Sequence, residues 1–218
     1  MDDIDFGVFL NGASDLEIYC LLAFSEYLLA TKDVGFVQQR IPYRIKANRS
    51  TTVDRSVLEA VVDAYRYLVN HTSTGQHGLM RVQTGDWNDG FSALAGCGGP
   101  GACQTAVQAQ GESIANSAMM AHVLERFAQA LELCQVDRSV LDMGGVRAFA
   151  VAQKRAVREY GWNGQFVNRA WLPKKGFVGT NGKGDRLGMT MEPQPWALLS
   201  GMLNASEQAA LLQSLGRL

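Results

Sequence analysis

The sequence lacks the features that would place the protein in a membrane or on a nucleic acid. Its longest apolar run, near residues 19–24, is far shorter than the roughly 20 residues that span a bilayer. The 20 Lys and Arg residues are scattered and balanced by 21 Asp and Glu residues, whereas a nucleic-acid interface needs clustered basic side chains. We therefore expect neither a membrane nor a nucleic acid among its partners.

Cysteine is also scarce, with four residues in the chain. Cys20 and Cys134 stand among apolar residues at helical spacing and are predicted to be buried thiols. Cys97 and Cys103 flank a glycine-rich segment, so a disulfide between them that closes a small loop is one alternative. Because no Cys or His pair lies near them at zinc-site spacing, we expect no metal site. Residues 1–5 are acidic where a secretory signal needs positive charge, so we expect a cytoplasmic protein.

What the sequence does contain is a series of amphipathic helical patterns. A hydrophobic content of 47% and a charged content of 19% are ordinary for a globular protein. Apolar residues at i, i+3, i+4 and i+7 predict an all-α fold of six helices, near 16–27, 54–68, 112–134 and 146–160 and after Pro193 and Ala205. In the first helix the apolar face is predicted to contain Leu16, Tyr19, Cys20, Ala23, Phe24 and Tyr27. No linker divides the chain, so residues 1–218 are predicted to belong to one domain.

Two long segments, 71–111 and 161–192, separate these helices. Loops of such length in a compact domain are usually functional or disordered. These two segments are rich in Trp and Phe, which is not typical of disorder. We therefore predict ordered loops at one end of a helical array.

The segment 85–90, Gly-Asp-Trp-Asn-Asp-Gly, has the composition of a glycosidic cleavage site. Cleavage needs a protonated carboxylic acid beside the leaving oxygen. A second negative charge nearby and an apolar wall, which Trp87 could supply, both favour the protonated form of one of the two carboxyl groups, Asp86 or Asp89. The alternative is a turn, because Asp, Asn and Gly dominate turns through local hydrogen bonds.

The flanking segments give this motif a context. Together with 77–79 and 111–113, the segment 85–90 resembles the catalytic segment of glycoside hydrolase family 94, which contains cellobiose, chitobiose and β-1,2-glucan phosphorylases. Downstream, 161–170 resembles the family's Trp-Asp-Gly-Glu-Trp…Arg-Ala block, and 192–201 resembles its Pro-Gln-Ser-Trp-Ala-Val-Leu-Ser-Gly block. The blocks occur in the family's order over nearly the whole chain.

The resemblance implies a partial (α/α)6 toroid with long active-site loops, of which this chain forms about half. It also implies inverting phosphorolysis of a β-linked gluco-oligosaccharide to a sugar 1-phosphate, with Asp89 as general acid. Inorganic phosphate would be the co-substrate, with no metal or other cofactor, and a homodimer of the full-length protein is compatible with the family. The residues expected to contact the saccharide are Asp86, Trp87, Asn88, Trp162, Gln165, Arg169 and Gln194.

Two departures from the family pattern concern charge. The block Asn163-Gly164-Gln165 has amides where the family has acids; an amide hydrogen-bonds sugar hydroxyls but carries no charge. Lys174 and Lys175 follow the Arg-Ala block and are expected either to hold phosphate as point charges or to form a solvated basic turn.

Two other functions remain open from the sequence. An inverting hydrolase of the same fold would need a second carboxylate to activate water, and Asp86 and Glu112 are the nearby residues of that type. For Glu112 the preferred interpretation is a helix cap, because the helix dipole favours a carboxylate at that end. The amide substitutions favour a carbohydrate-binding remnant without activity. His77 is expected either to contact a ligand or to be a hydrogen-bonded structural residue.

Overall fold

A computed structural model describes residues 13–44, 52–86, 102–185 and 187–217. Seven α-helices lie within these ranges: α1 (Leu16–Thr31), α2 (Val57–Tyr67), α3 (Ala102–Gln110), α4 (Ile114–Leu133), α5 (Met143–Ala156), α6 (Pro193–Leu199) and α7 (Ala205–Leu215). The strands described there are β1 (Arg40–Arg44), β2 (Thr52–Ser56), β3 (Glu112–Ser113), β4 (Ala170–Leu172) and β5 (Gly176–Val178). The prediction of a mostly helical protein is confirmed.

Local capping chemistry sets where the helices begin. Ser56 accepts a hydrogen bond from the Glu59 backbone N–H, and the Glu59 carboxylate accepts one from the Ser56 N–H. This capping box satisfies donors that the first turn would otherwise leave free. The start predicted at residue 54 is therefore three residues early, because 52–56 pair with β1 as an antiparallel strand. Asn204 and Glu207 form a second capping box at α7.

Helix α4 lies at the centre of the molecule and packs against α1, α5 and α6. Its predicted apolar stripe is confirmed, and its small residues are buried on the remaining sides as well. The fully buried side chains along it include Met120, Leu124, Phe127 and Leu131. Helix α2 packs against α1 and also reaches α4, where the ring centroids of Tyr65 and Phe127 are 6.1 Å apart. Helix α4 is thus the element that contacts α1, α5 and α6 in common.

The predicted inner face of α1 is wrong. The helix buries Ile18, Leu21, Phe24 and Leu28, whereas much of the predicted face is exposed. The exposed members of that face are Leu16, Tyr19, Cys20, Ala23 and Tyr27, and Phe24 is the member that is buried. Apolar residues occur almost all round α1, so periodicity did not define one side, and contact with α4 decided which side is buried. The prediction of a buried Cys20 thiol is therefore wrong, while Cys134 is partly buried.

The two predicted loops contain ordered structure that periodicity did not reveal. Helix α3 lies in the first, and β4 and β5 form a hairpin in the second. Strand β3 pairs with β4, with Glu112 opposite Trp171 and Ser113 opposite Ala170. Strands of two or three residues are too short to show alternation, so periodicity does not predict this sheet. None of the helices in the described part of the chain is long and apolar enough to cross a membrane.

Candidate active site

A buried ion pair joins the first predicted catalytic segment to the second. The Arg169 guanidinium donates to both carboxylate oxygens of Asp86, at 2.7 Å from Nη1 and 2.6 Å from Nη2. Both side chains are 1% exposed. Two parallel charge-assisted bonds fix direction as well as distance. The pair therefore holds the chain at Asp86, immediately before Trp87, in a defined orientation.

The N-terminus of α4 contributes to the same cluster. The Ser113 hydroxyl donates to Asp86 Oδ2 at 2.7 Å and accepts the Asn116 backbone N–H at 3.0 Å as the helix cap. Ser14, just before α1, donates through its hydroxyl to the Gly85 carbonyl at 3.0 Å and accepts from the Asn116 amide at 2.8 Å. Two helix N-termini and the segment leading to residue 87 are thereby tied together.

Backbone contacts place Arg169 beside this cluster. Its carbonyl accepts the Ile114 N–H at 3.3 Å, and its N–H donates to the Val178 carbonyl at 2.9 Å. Gly179 has φ of 69°, and a Cβ at this position would lie 2.5 Å from the Arg169 Cβ. Only glycine combines this conformation with so close an approach. The end of β5 therefore requires glycine for Arg169 to reach Asp86.

A cleft of about 470 Å³ opens between the N-terminal halves of α1 and α4 and the start of α6. Its volume lies in the range of about 300–1,000 Å³ that is usual for small-molecule sites. The lining residues are Tyr19, Ala115, Asn116, Met119, Met191, Glu192, Pro195 and Trp196.

The cleft lies next to the ion pair. Glu192 Oε1 is 3.9 Å from Arg169 Nε, and Asn116 is part of the Ser14–Ser113 cluster. Burial, followed by the negative charges of Asp15 and Asp86, raises the pKa of the Tyr19 phenol. The electrostatic influence of Asp86 therefore extends to the Tyr19 wall of the cleft.

A second buried carboxylate belongs to a separate cluster. Glu112 is 0% exposed, accepts the His77 backbone N–H at 2.9 Å, and forms a short hydrogen bond with His77 Nδ1. The rings of Tyr160, Trp171 and Phe177 surround the His77 imidazole, with centroids 4.8–5.2 Å away. The helix-capping interpretation of Glu112 is wrong, because Ser113 caps α4 and Glu112 lies in β3.

The packing around Glu112 gives a direct mutational test. A Cβ at Gly75 would lie 2.5 Å from Glu112 Cγ, and the hydrogen bonds to His77 limit how far that side chain can shift. We expect Gly75→Ala to lower the free energy of unfolding by about 1–3 kcal/mol, the usual cost of overpacking.

Denaturant unfolding of the full-length protein measures this change. The control is Gly35→Ala, where the nearest atom to an added Cβ is an Asp33 side-chain oxygen at 3.5 Å, an ordinary contact. Equal stability changes at the two positions would show that the Glu112 side chain is free to move.

The remaining predicted saccharide contacts have different surroundings. Gln194 is fully buried, and its amide accepts from the Val167 N–H at 2.9 Å and donates to the Val167 carbonyl at 2.7 Å. Trp162 is partly buried and forms a β-bridge with Val167. Gln165 is exposed on a turn that the Asn163 side chain stabilises. The structure therefore brings together Asp86 and Arg169, with Glu192 beside them, while Gln194 braces the Val167 backbone.

Lys174 and Lys175 form the turn between β4 and β5, and both are exposed. Lys174 has φ of 65°, and the Lys175 N–H donates to the Leu172 carbonyl at 3.2 Å. Their role in phosphate binding stays a prediction.

Other predictions fall outside the described residues. They concern the predicted general acid Asp89, its neighbours Trp87 and Asn88, and Cys97. For Cys103 the backbone is described and the side chain is not. Asp86 is thus the last described residue of the predicted catalytic segment.

Sequence reasoning missed several residues of the site, namely Tyr19, Asn116, Glu192 and the pairing of His77 with Glu112. Helical periodicity predicts Tyr19 on the buried face of α1, and Asn116 lies outside the apolar stripe that periodicity predicts for α4. The segment 111–113 was the available signal for the α4 N-terminus. The residues that contact the N-terminus of α4 come from chain segments far away in sequence, so local patterns do not predict them.

Comparison with known proteins identifies the family of this chain. Residues 5–217 match the family model described as "Glycosyl hydrolase 94 superfamily, catalytic domain". The chain therefore belongs to this family. It is also similar to the solabiose phosphorylase of Paenibacillus borealis, with 28% identity over 205 residues that cover 92% of this chain and 23% of that protein. The chain thus spans about a quarter of the length of this relative.

Proposed function

We propose that the protein containing this chain is an inverting glycoside phosphorylase acting on a β-linked gluco-oligosaccharide. Phosphate attacks the anomeric carbon while Asp89 protonates the leaving oxygen on the opposite side of the scissile bond. Phosphate is already an anionic nucleophile, so one protein carboxylate is sufficient and no metal is needed. The product is a sugar 1-phosphate of inverted configuration.

The observation that carries this proposal is the bidentate Asp86–Arg169 pair at the N-terminus of α4. It anchors the start of the segment 86–89 beside a cleft of small-molecule size. Three peptide units span at most about 11 Å, which bounds the distance from Asp86 to the proposed acid. Family membership and the similarity to a phosphorylase support the same reaction class.

The order of the helices supports a toroidal domain. Helix α4 contacts both α1 and α6, α2 packs on α1, and α5 packs on α4. This arrangement is what two successive hairpins followed by a third inner helix require in an (α/α)6 ring. We infer that residues 1–218 form part of one such catalytic domain, with the long segments 71–111 and 161–192 at its active-site end.

The hydrolase alternative has less support. Both oxygens of Asp86 accept hydrogen bonds from Arg169, and the fully buried Glu112 is bonded to His77. A general base has to reach a water molecule, and neither carboxylate is exposed to do so. An inactive binding protein of this fold is the other alternative, which a measurement of turnover addresses.

The test is whether turnover needs phosphate. We expect the full-length protein to consume a β-glucoside in phosphate buffer and to release a sugar 1-phosphate, with no turnover in phosphate-free buffer. Phosphorus NMR detects the sugar 1-phosphate, and proton NMR of the glucoside measures cleavage in each buffer. Arsenate in place of phosphate should restore cleavage without the sugar phosphate. Equal rates with and without phosphate would favour the hydrolase, and no turnover on any saccharide tested would favour the binding protein.

A further inference from the structure

Asn-Gly dipeptides are positions at which a protein chain can modify itself. The backbone nitrogen of the glycine can attack the side-chain carbonyl carbon of the asparagine, because glycine has no side chain to hinder the approach. The sequence contains three such dipeptides, at 11–12, 163–164 and 181–182. The first lies outside the described residues, and the other two have contrasting surroundings.

Three hydrogen bonds hold the side chain of Asn163, which is half-buried. Its Oδ1 accepts the backbone N–H groups of Gln165 at 3.1 Å and of Phe166 at 3.0 Å. Its Nδ2 donates to Asn168 Oδ1 at 2.8 Å. Attack by the next backbone nitrogen requires the amide carbon to turn towards that nitrogen, into a near-attack geometry. The three bonds oppose this rotation, so the structure protects Asn163.

The side chain of Asn181 is held much more weakly. Asn181 and Gly182 are both exposed, in the segment that follows β5. Within the described ranges the Asn181 amide has one hydrogen bond, from Nδ2 to the Asn163 carbonyl oxygen at 3.3 Å, which is long for such a bond. The Gly182 N–H donates to Thr180 Oγ1 at 3.2 Å, also near the upper limit. The amide carbon and the attacking nitrogen are therefore both accessible and loosely held.

We propose that Asn181 is a site of spontaneous deamidation and that Asn163, in the same dipeptide, is protected from it. The Gly182 nitrogen loses its proton to base in solution and forms a bond to Cγ of Asn181, while the Cγ–Nδ2 bond breaks and ammonia leaves. Water then opens the resulting succinimide at one of its two carbonyl groups. The product is an aspartyl or an isoaspartyl residue, and water is the other reactant.

Deamidation changes both the charge and the contacts of the segment 180–185. Lys183 and Asp185 balance each other there, so the new carboxylate adds an uncompensated negative charge. A carboxylate has no N–H to donate, so the bond from residue 181 to the Asn163 carbonyl is lost. The isoaspartyl product also lengthens the backbone by one methylene group. The modification thus loosens the connection between this segment and the turn that contains Asn163.

The experiment incubates the native full-length protein in mildly alkaline buffer and follows both sites by tryptic peptide mapping with mass spectrometry. Trypsin cleaves after Lys and Arg, which places Asn163 in the peptide 159–169 and Asn181 in the peptide 176–183. Electron-transfer fragmentation assigns the modified residue and separates the aspartyl from the isoaspartyl form. We expect residue 181 to convert at least about tenfold faster than residue 163, because hydrogen bonds that must break add to the activation free energy.

Two controls separate the effect of the structure from that of the sequence. In the denatured protein the hydrogen bonds of Asn163 are absent, so the two sites should convert at similar rates. Gly182→Ala places a methyl group beside the attacking nitrogen and should slow conversion at 181 to the level of residue 163 or below. The added Cβ would lie 3.3 Å from Thr180 Oγ1, the end of a side chain that can rotate away.

Three results would overturn the proposal. These are equal or faster conversion at residue 163 in the native protein, unchanged conversion at 181 in Gly182→Ala, and conversion of both sites in the denatured protein with none at 181 in the native one. The last would show that the native protein holds or covers Asn181 as firmly as Asn163. The readout is the mass of two peptides and does not depend on turnover of any saccharide, so it stands apart from the test of the phosphorylase.

Discussion

Asp89→Asn is expected to reduce turnover of an ordinary β-glucoside by about 10²–10⁴-fold, the usual contribution of general acid catalysis. An asparagine amide has nearly the same shape but cannot deliver the proton to the leaving oxygen. The loss should nearly disappear for a glycosyl fluoride, because fluoride leaves with little protonation. Rates with both substrates, measured on the full-length protein at saturating phosphate, give this comparison.

Asp86→Asn serves as the matched comparison, since it makes the same change three residues earlier. Asp86 is committed to Arg169 and Ser113, so its replacement should reduce stability and affect both substrates alike. Recovery with the fluoride in Asp86→Asn, and not in Asp89→Asn, would identify Asp86 as the acid. The Asp86–Arg169 pair also changes one sequence-based expectation. The charge of Asp86 is compensated by a guanidinium, so it contributes less to keeping Asp89 protonated than the sequence suggested.

Arg169→Met is expected to lower the free energy of unfolding by about 3–5 kcal/mol, because it leaves the Asp86 carboxylate buried without its guanidinium. Such a loss is a large fraction of the net stability of a domain, which is about 5–15 kcal/mol. Denaturant unfolding of the full-length protein measures it. The segment leading to Asp89 should lose its anchor, so activity should fall together with stability.

A surface ion pair provides the control. Arg126 donates to both oxygens of Glu26, with the two side chains 33% and 48% exposed. Arg126→Met should cost no more than about 1 kcal/mol, since water screens an exposed pair. A similar loss for Arg126→Met and Arg169→Met would contradict the anchoring role of the buried pair.

The double variant Asp86→Leu with Arg169→Met separates the cost of burying an unpaired charge from the orienting effect of the ion pair. Replacing both partners removes the uncompensated charge, so stability should recover relative to Arg169→Met alone. Activity should not recover, because an apolar pair has no directional bonds to orient the following residues. Recovery of both would show that the ion pair contributes packing only.

Local signals determined much of the helical organisation. Ser56 with Glu59 form a capping box, and Asn204 with Glu207 form another; each depends on residues three apart, which the sequence displays directly. The stripe of α4 was predictable because its large apolar residues recur at helical spacing. The motif blocks also identified the family, since their order along the chain is a property of the sequence alone.

Features that depend on long-range contacts were not predictable. Tyr19 was assigned to the core and lines an open cleft instead, because α4 packs against another side of α1. Gln194 was expected at the saccharide, and in the structure its amide is bonded to the backbone of Val167. Gln194 fits the family motif and Tyr19 fits the helical periodicity, and only the packed neighbours reveal how each side chain is used.

The sequence by itself determined that the chain is mostly helical, where its longer helices lie to within a few residues and to which family it belongs, because periodicity and motif order are local along the chain. Only the tertiary structure decided that Asp86 pairs with Arg169, 83 residues away, and that Glu112 pairs with His77. The residues next to a carboxylate in the sequence do not indicate which distant side chain will be its hydrogen-bond partner. Its partner is the group that packing brings within hydrogen-bond distance in a site from which water is excluded.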